Sequence, residues 1–192
     1  MRSLSCSAGI MYSGRQSCKG RNMLGYVVAD GRGAADLLIR DVALRLQAEG
    51  MRLAGAVQVN PEVDPDRKCH MDLHILSGSD VVRISQDLGA LSQGCRLDPD
   101  GLERAVGLVA AALDNGADLL VVNKFGKQEI DGRGFRPVIG EALSRGTPVL
   151  VAVNPGSLDA FLAYAEDLAQ PLPPEATAIT DWCLHHRAAD PA

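Results

Sequence analysis

The stretch that most constrains this fold is Leu119-Leu120-Val121-Val122 followed at once by Asn123-Lys124-Phe125-Gly126-Lys127. A run of four apolar residues with no polar alternation belongs to a strand buried on both faces, as in a parallel sheet covered by helices. Its abrupt end in a polar, lysine-bearing turn is the way such a strand delivers side chains to a ligand crevice at its C-terminal edge. Other runs fit the same scheme. Leu24–Ala29, Leu53–Val59 and Val149–Val153 are apolar. Between them lie segments with helical periodicity: 34–49 with Leu38, Val42 and Leu46 on one face and Gly50 as its stop, 98–113, 135–145 and 157–168. Asp98-Pro99 opens the second of these, with Asp100 and Glu103 spaced as a capping box. Met71–Leu76 and Val81–Ser85 flank a Ser-Gly-Ser turn and read as a hairpin. The order predicts an α/β three-layer sandwich with a mostly parallel sheet, a central β-hairpin, and Leu24–Ala29, Leu119–Val122 and Val149–Val153 as parallel central strands.

The organisation expected along the chain has three parts. Residues 1–23 read as a disordered extension, or as a stretch preceding a true start at Met23. Residues 24–170 form the α/β domain. Residues 171–192 hold a stiff Pro171-Leu172-Pro173-Pro174 linker and a last helix with Trp182. The 192 residues carry a net charge of −5, which argues against nucleic acid as a partner. Five cysteines, an odd number without a CxxC pair, suit a reducing cytoplasm better than a disulfide framework. No apolar run reaches the roughly 18 residues of a membrane span.

The first strand and helix bracket Asp30-Gly31-Arg32-Gly33, the place of a phosphate-binding loop. Against GxxxxGK[ST] aligned on Gly33, the first glycine is Val28, the lysine is Ala34 and the hydroxyl is Ala35. What remains is physical: Gly31 and Gly33 permit close backbone approach, the helix start at Gly33 and Ala34 offers free N–H groups, and Arg32 adds a charge. Asp36 in the first turn competes for that positive end. The other strand ends add Asn123, Lys124 and Asn154, with Lys127 and Arg133 close behind. This cation-bearing crevice in an acidic chain points to a small anionic ligand. Asn123-Lys124 begins a guanine-reading NKxD motif, but its Asp position is Gly126. Cys69, His70 and Cys95 are candidate transition-metal ligands, with buried structural thiols as the alternative. A strand over Met71–Leu76 puts His70, Asp72 and His74 on one face and Cys69 on the other, which works against a simple metal cluster.

Several segments together resemble a bacterial family of uncharacterised domains labelled as molybdenum ABC transporter ATP-binding proteins. They are Gly31–Leu38, Leu53–Gln58, Cys69–Leu73, Arg83–Gly89, Gly94–Asp98 and Val122–Glu129. That family is distantly similar to small P-loop nucleoside triphosphatases. The resemblance implies a nucleotide, with or without magnesium, as ligand, and components of a molybdate transport system as partners. The departures imply weak hydrolysis: Ala34 replaces the phosphate lysine, Ala35 the magnesium hydroxyl, Asn123 the metal-binding Asp and Lys124 the water-positioning Glu. Two alternatives stand beside the nucleotide reading. One is an accessory protein for a small oxyanion such as molybdate, and the other is an interaction module with a vestigial site.

Overall fold

The computed structural model describes residues 22–31, 33–60, 70–86 and 96–187. The expectations for residues 1–21, for Arg32, and for Cys69 and Cys95 lie outside the described residues. Seven strands form one sheet: β1 (Leu24–Val27), β2 (Leu53–Val59), β3 (Asp72–Ile75), β4 (Val81–Arg83), β5 (Leu119–Phe125), β6 (Val149–Val153) and β7 (Ala169–Pro171). Their order is β4-β3-β2-β5-β6-β1-β7. The five strands from β2 to β7 in that order pair in parallel, and β3 and β4 add the antiparallel hairpin at one end. The three apolar runs expected at the centre are therefore neighbours, all parallel, and none lies at an edge.

Strand alternation sorts the core into two layers. Leu120, Val122, Val149, Val151 and Val153 point to one face. There they meet α2 (Pro99–Asp114), α4 (Arg136–Ser144) and α5 (Leu158–Ala165), through residues such as Val109, Ile139 and Phe161. Leu119, Val121, Leu150 and Ala152 point to the other face, against α1 (Ala34–Ala48) and α6 (Ala176–His186) through Val42, Leu46, Ile179 and Trp182. Close packing of the sheet itself requires glycine at one point. Gly55 sits in β2 at φ 136, and a Cβ there would overlap the Val121 carbonyl of β5.

Several local expectations are corrected. β5 does not stop at Val122 but continues to Phe125, with a register shift against β6 between those residues. A short helix, α3 (Lys127–Ile130), occupies part of the expected loop. Pro171 is not the start of a free linker, because it closes the edge strand β7 beside β1, and Leu172 behind it is buried. A proline at that edge costs no ladder bond on the outer side. Asp98, rather than Asp100, caps α2 by accepting from the Asp100 N–H at 3.2 Å, and Glu103 instead accepts the Gly134 N–H at 3.1 Å. No helix among the described residues is long and apolar enough to cross a membrane.

The connections fix where a ligand can enter. From β2 the chain leaves outward to β3, whereas from β5 it leaves in the opposite direction to β6. From β1 it crosses by α1 to β2 on one face, and from β6 by α5 to β7 on the other. Strand ends whose connections diverge leave a crevice between them.

Candidate functional site

The end of β5 divides its two polar residues between different tasks. Asn123 turns inward and is buried, while Lys124 beside it is exposed. Strand alternation sends consecutive side chains to opposite faces in this way, and Asn123 follows Leu119 and Val121 toward α1. The Asn123 amide nitrogen donates to Asp36 Oδ1 at 2.8 Å, and its Oδ1 accepts the Gln58 N–H at 3.0 Å. Asn60 Nδ2 donates to the second Asp36 oxygen at 3.4 Å, and Gln58 Nε2 donates to Asn60 Oδ1 at 2.8 Å. One network thus ties the first turn of α1 to the ends of β2 and β5. Asp36 is committed to it rather than capping its own helix, and no side chain caps α1.

Two glycines of the loop ahead of α1 have left-handed backbones. Gly31 and Gly33 have φ of 100 and 76, and Gly33 is the left-handed N-cap. The Ala34 N–H makes only a long turn bond to Gly31 O, 3.4 Å.

A cavity of about 380 Å³ opens at the C-terminal ends of β2 and β5, whose connections run in opposite directions. Asn123, Lys124, Lys127 and Asn154 line it, so the structure brings together four of the polar residues expected at the strand ends. Lys124 and Lys127 are both exposed. Gly31, Gly33 and Ala34 are not part of its lining, and Arg133 points to Asp131 at 3.4 Å rather than into it. The sequence reading missed the rest of the cavity: the apolar residues Leu73, Ile84, Leu102 and Phe135, and the cation Arg96. It also missed Glu129, although Gly126 followed three residues later by Glu129 is a capping-box spacing. Glu129 Oε2 accepts the Gly126 N–H at 2.9 Å and Oε1 accepts the Phe135 N–H at 3.1 Å. Burial raises its pKa, against the lowering effect of those backbone bonds. Both oxygens therefore serve to fold the loop that carries Lys127.

The His-bearing strand offers less. His70 Nδ1 is buried without a partner. Asp72 is held by Arg83 at 2.9 and 3.2 Å, and its carboxyl lies below the ordinary value chiefly because of that hydrogen bond. Among the described residues no three His, Cys, Asp or Glu side chains converge on a metal position.

The family described as "Protein of unknown function (DUF2478)" matches residues 24–182. The chain belongs to that family. A curated relative of this DUF2478 chain is the "Molybdenum import ATP-binding protein ModC 2" of Bradyrhizobium diazoefficiens, 35% identical over 147 residues. The aligned part is 77% of the DUF2478 chain but only 16% of the relative, so this chain spans a small fraction of that protein's length. No solved structure matches the chain.

Proposed function

We propose that this DUF2478 chain binds a nucleotide or phosphate-type anion at the C-terminal ends of its parallel strands and hydrolyses little of it. The observation that carries this reading is the division of labour at the end of β5. Asn123, in the place of a magnesium-binding acid, is spent on Asp36 and Gln58, while Lys124 faces the crevice. Cations without a metal acid favour anion retention over phosphoryl transfer, which needs the metal and a positioned water as well. Lys124 and Lys127 are the proposed anion contacts in the cavity, and Arg32 with the Gly33 and Ala34 N–H groups is a second proposed set at the loop ahead of α1, outside that lining. The curated relative is named for molybdenum import and ATP binding, which supports a link of this chain to molybdenum import; a cytoplasmic place beside a molybdate transport system is part of the proposal. A second reading, in which the ligand is a small oxyanion such as molybdate, rests on the same two cavity lysines.

Calorimetric titration at fixed ionic strength tests both. Under the first reading, ATP or GTP binds the wild type. Lys124→Ala and Arg32→Ala each weaken it about tenfold to a hundredfold, the usual value of a charge-assisted hydrogen bond. Magnesium strengthens only the nucleotide. Binding of molybdate but no nucleotide selects the second reading. Absence of any anion binding refutes both and leaves an interaction module with a vestigial site. Magnesium-dependent turnover of order one per second that disappears in Gly33→Asp would overturn the claim of weak hydrolysis.

A further inference from the structure

The cavity between β2 and β5 has two chemistries at two depths. Its floor is hydrocarbon: Leu73 and Ile84 beside the hairpin, Leu102 of α2, and Phe135, all buried. Met71 and Leu97, half-buried, extend that surface toward the mouth. The cations Lys124, Lys127 and Arg96 also line the cavity. Of the other polar side chains in the lining, Gln58, Asn123 and Glu129 are engaged within the protein, while Gln128 and Asn154 complete the set. Asn123 holds Asp36 and Gln58, and both Glu129 oxygens accept backbone N–H groups.

A bare oxyanion fits this arrangement poorly. Against the hydrocarbon of Leu73, Ile84, Leu102 and Phe135 it would give up hydration, a costly transfer. Held at the lysines, it would leave most of the 380 Å³ unfilled. The volume and the apolar lining instead match sites for small organic molecules, with a few polar groups fixing orientation. We infer that this cavity takes an organic anion with an apolar body. The body seats on Leu73, Ile84, Leu102 and Phe135, and its phosphate, sulfonate or carboxylate is held by Lys124 and Lys127. This deepens the anion-binding reading and rests on it only for the role of the two lysines.

The probe pair that tests it is 8-anilinonaphthalene-1-sulfonate and its uncharged counterpart N-phenyl-1-naphthylamine, titrated by fluorescence into the full chain. The sulfonate is expected to bind at one saturable site. A Lys124→Ala/Lys127→Ala double variant should weaken the sulfonate at least tenfold and change the neutral probe less than twofold. Met71→Trp, whose side chain fills the mouth, should abolish both while keeping the wild-type urea midpoint. Leu97→Trp serves if that variant does not fold. Undiminished sulfonate binding in a folded tryptophan variant would overturn the inference, as would equal weakening of both probes by the lysine changes. ATP is then added to the bound probe. Failure of ATP to bind at all removes the nucleotide reading, yet leaves this inference standing if the probe results hold.

Discussion

Asn123→Asp restores the acid that a nucleotide hydrolase carries at this strand end, and the structure makes its effect calculable. Asn123 and Asp36 are 4% and 7% exposed, and the new carboxylate oxygen would stand about where the amide now lies, 2.8 Å from Asp36 Oδ1. The lost bond, an amide donating to a carboxylate, is worth about 1.5–3 kcal/mol. Two charged carboxylates at that separation are not both sustained in a buried site, so one must hold a proton. Keeping an ordinary carboxyl protonated at pH 7 costs about 4 kcal/mol, offset in part by the hydrogen bond the proton then makes. The net expectation is a loss of about 3 kcal/mol at pH 7. The sign of its pH dependence follows. The variant's shared carboxyl pair titrates higher when folded than when unfolded, so its stability falls as pH rises between those values. Acidifying from pH 7 to pH 5 should therefore recover up to about 2.7 kcal/mol relative to wild type, at about 1.36 kcal/mol per pH unit. Urea unfolding of both proteins at the two pH values measures this. A variant within 0.5 kcal/mol of wild type at pH 7, or a deficit unchanged at pH 5, would refute the wiring argued for Asn123.

Two further predictions concern the scaffold. Glu129→Gln should lose about 1–3 kcal/mol, because its amide nitrogen must face either the Gly126 or the Phe135 N–H. Burial raises the Glu129 pKa above 4.5, so the wild type loses stability as pH climbs through the raised value, and the gap between the two proteins, followed by urea unfolding, should narrow with increasing pH. Gly55→Ala should leave no cooperative thermal transition, since its Cβ would displace the Val121 carbonyl from the β2–β5 ladder; a folded variant with wild-type circular dichroism would contradict the close approach.

The parallel core was readable because buried strands announce themselves by uninterrupted apolar runs, as Leu119–Val122 and Val149–Val153 do. Helix stripes such as Val42 and Leu46 were equally plain. What the sequence concealed were features set by partners distant along the chain. Nothing local to Asn123 tells that its amide meets Asp36, 87 positions away, and nothing local to Glu103 tells that it reaches Gly134. Three-residue β7 is too short for any period, and its two prolines downstream mimic a linker. The cavity floor was hidden for a similar reason. Leu73, Ile84 and Leu102 each read as ordinary core, and only their assembly around the ends of β2 and β5 makes them the lining of a cavity.

The Asp36–Asn123–Gln58 network has a consequence for energy rather than geometry. It joins the helix behind the glycine loop to both strands that wall the cavity. A ligand that draws the first turn of α1 out of place must work against the bonds that set the spacing of those strands. Whatever binding at the loop does to affinity in the cavity, binding in the cavity must do to affinity at the loop by the same factor, because the free energy of a four-state cycle closes. The glycine loop and the cavity are in this sense one thermodynamic object, with a buried asparagine as the link between them.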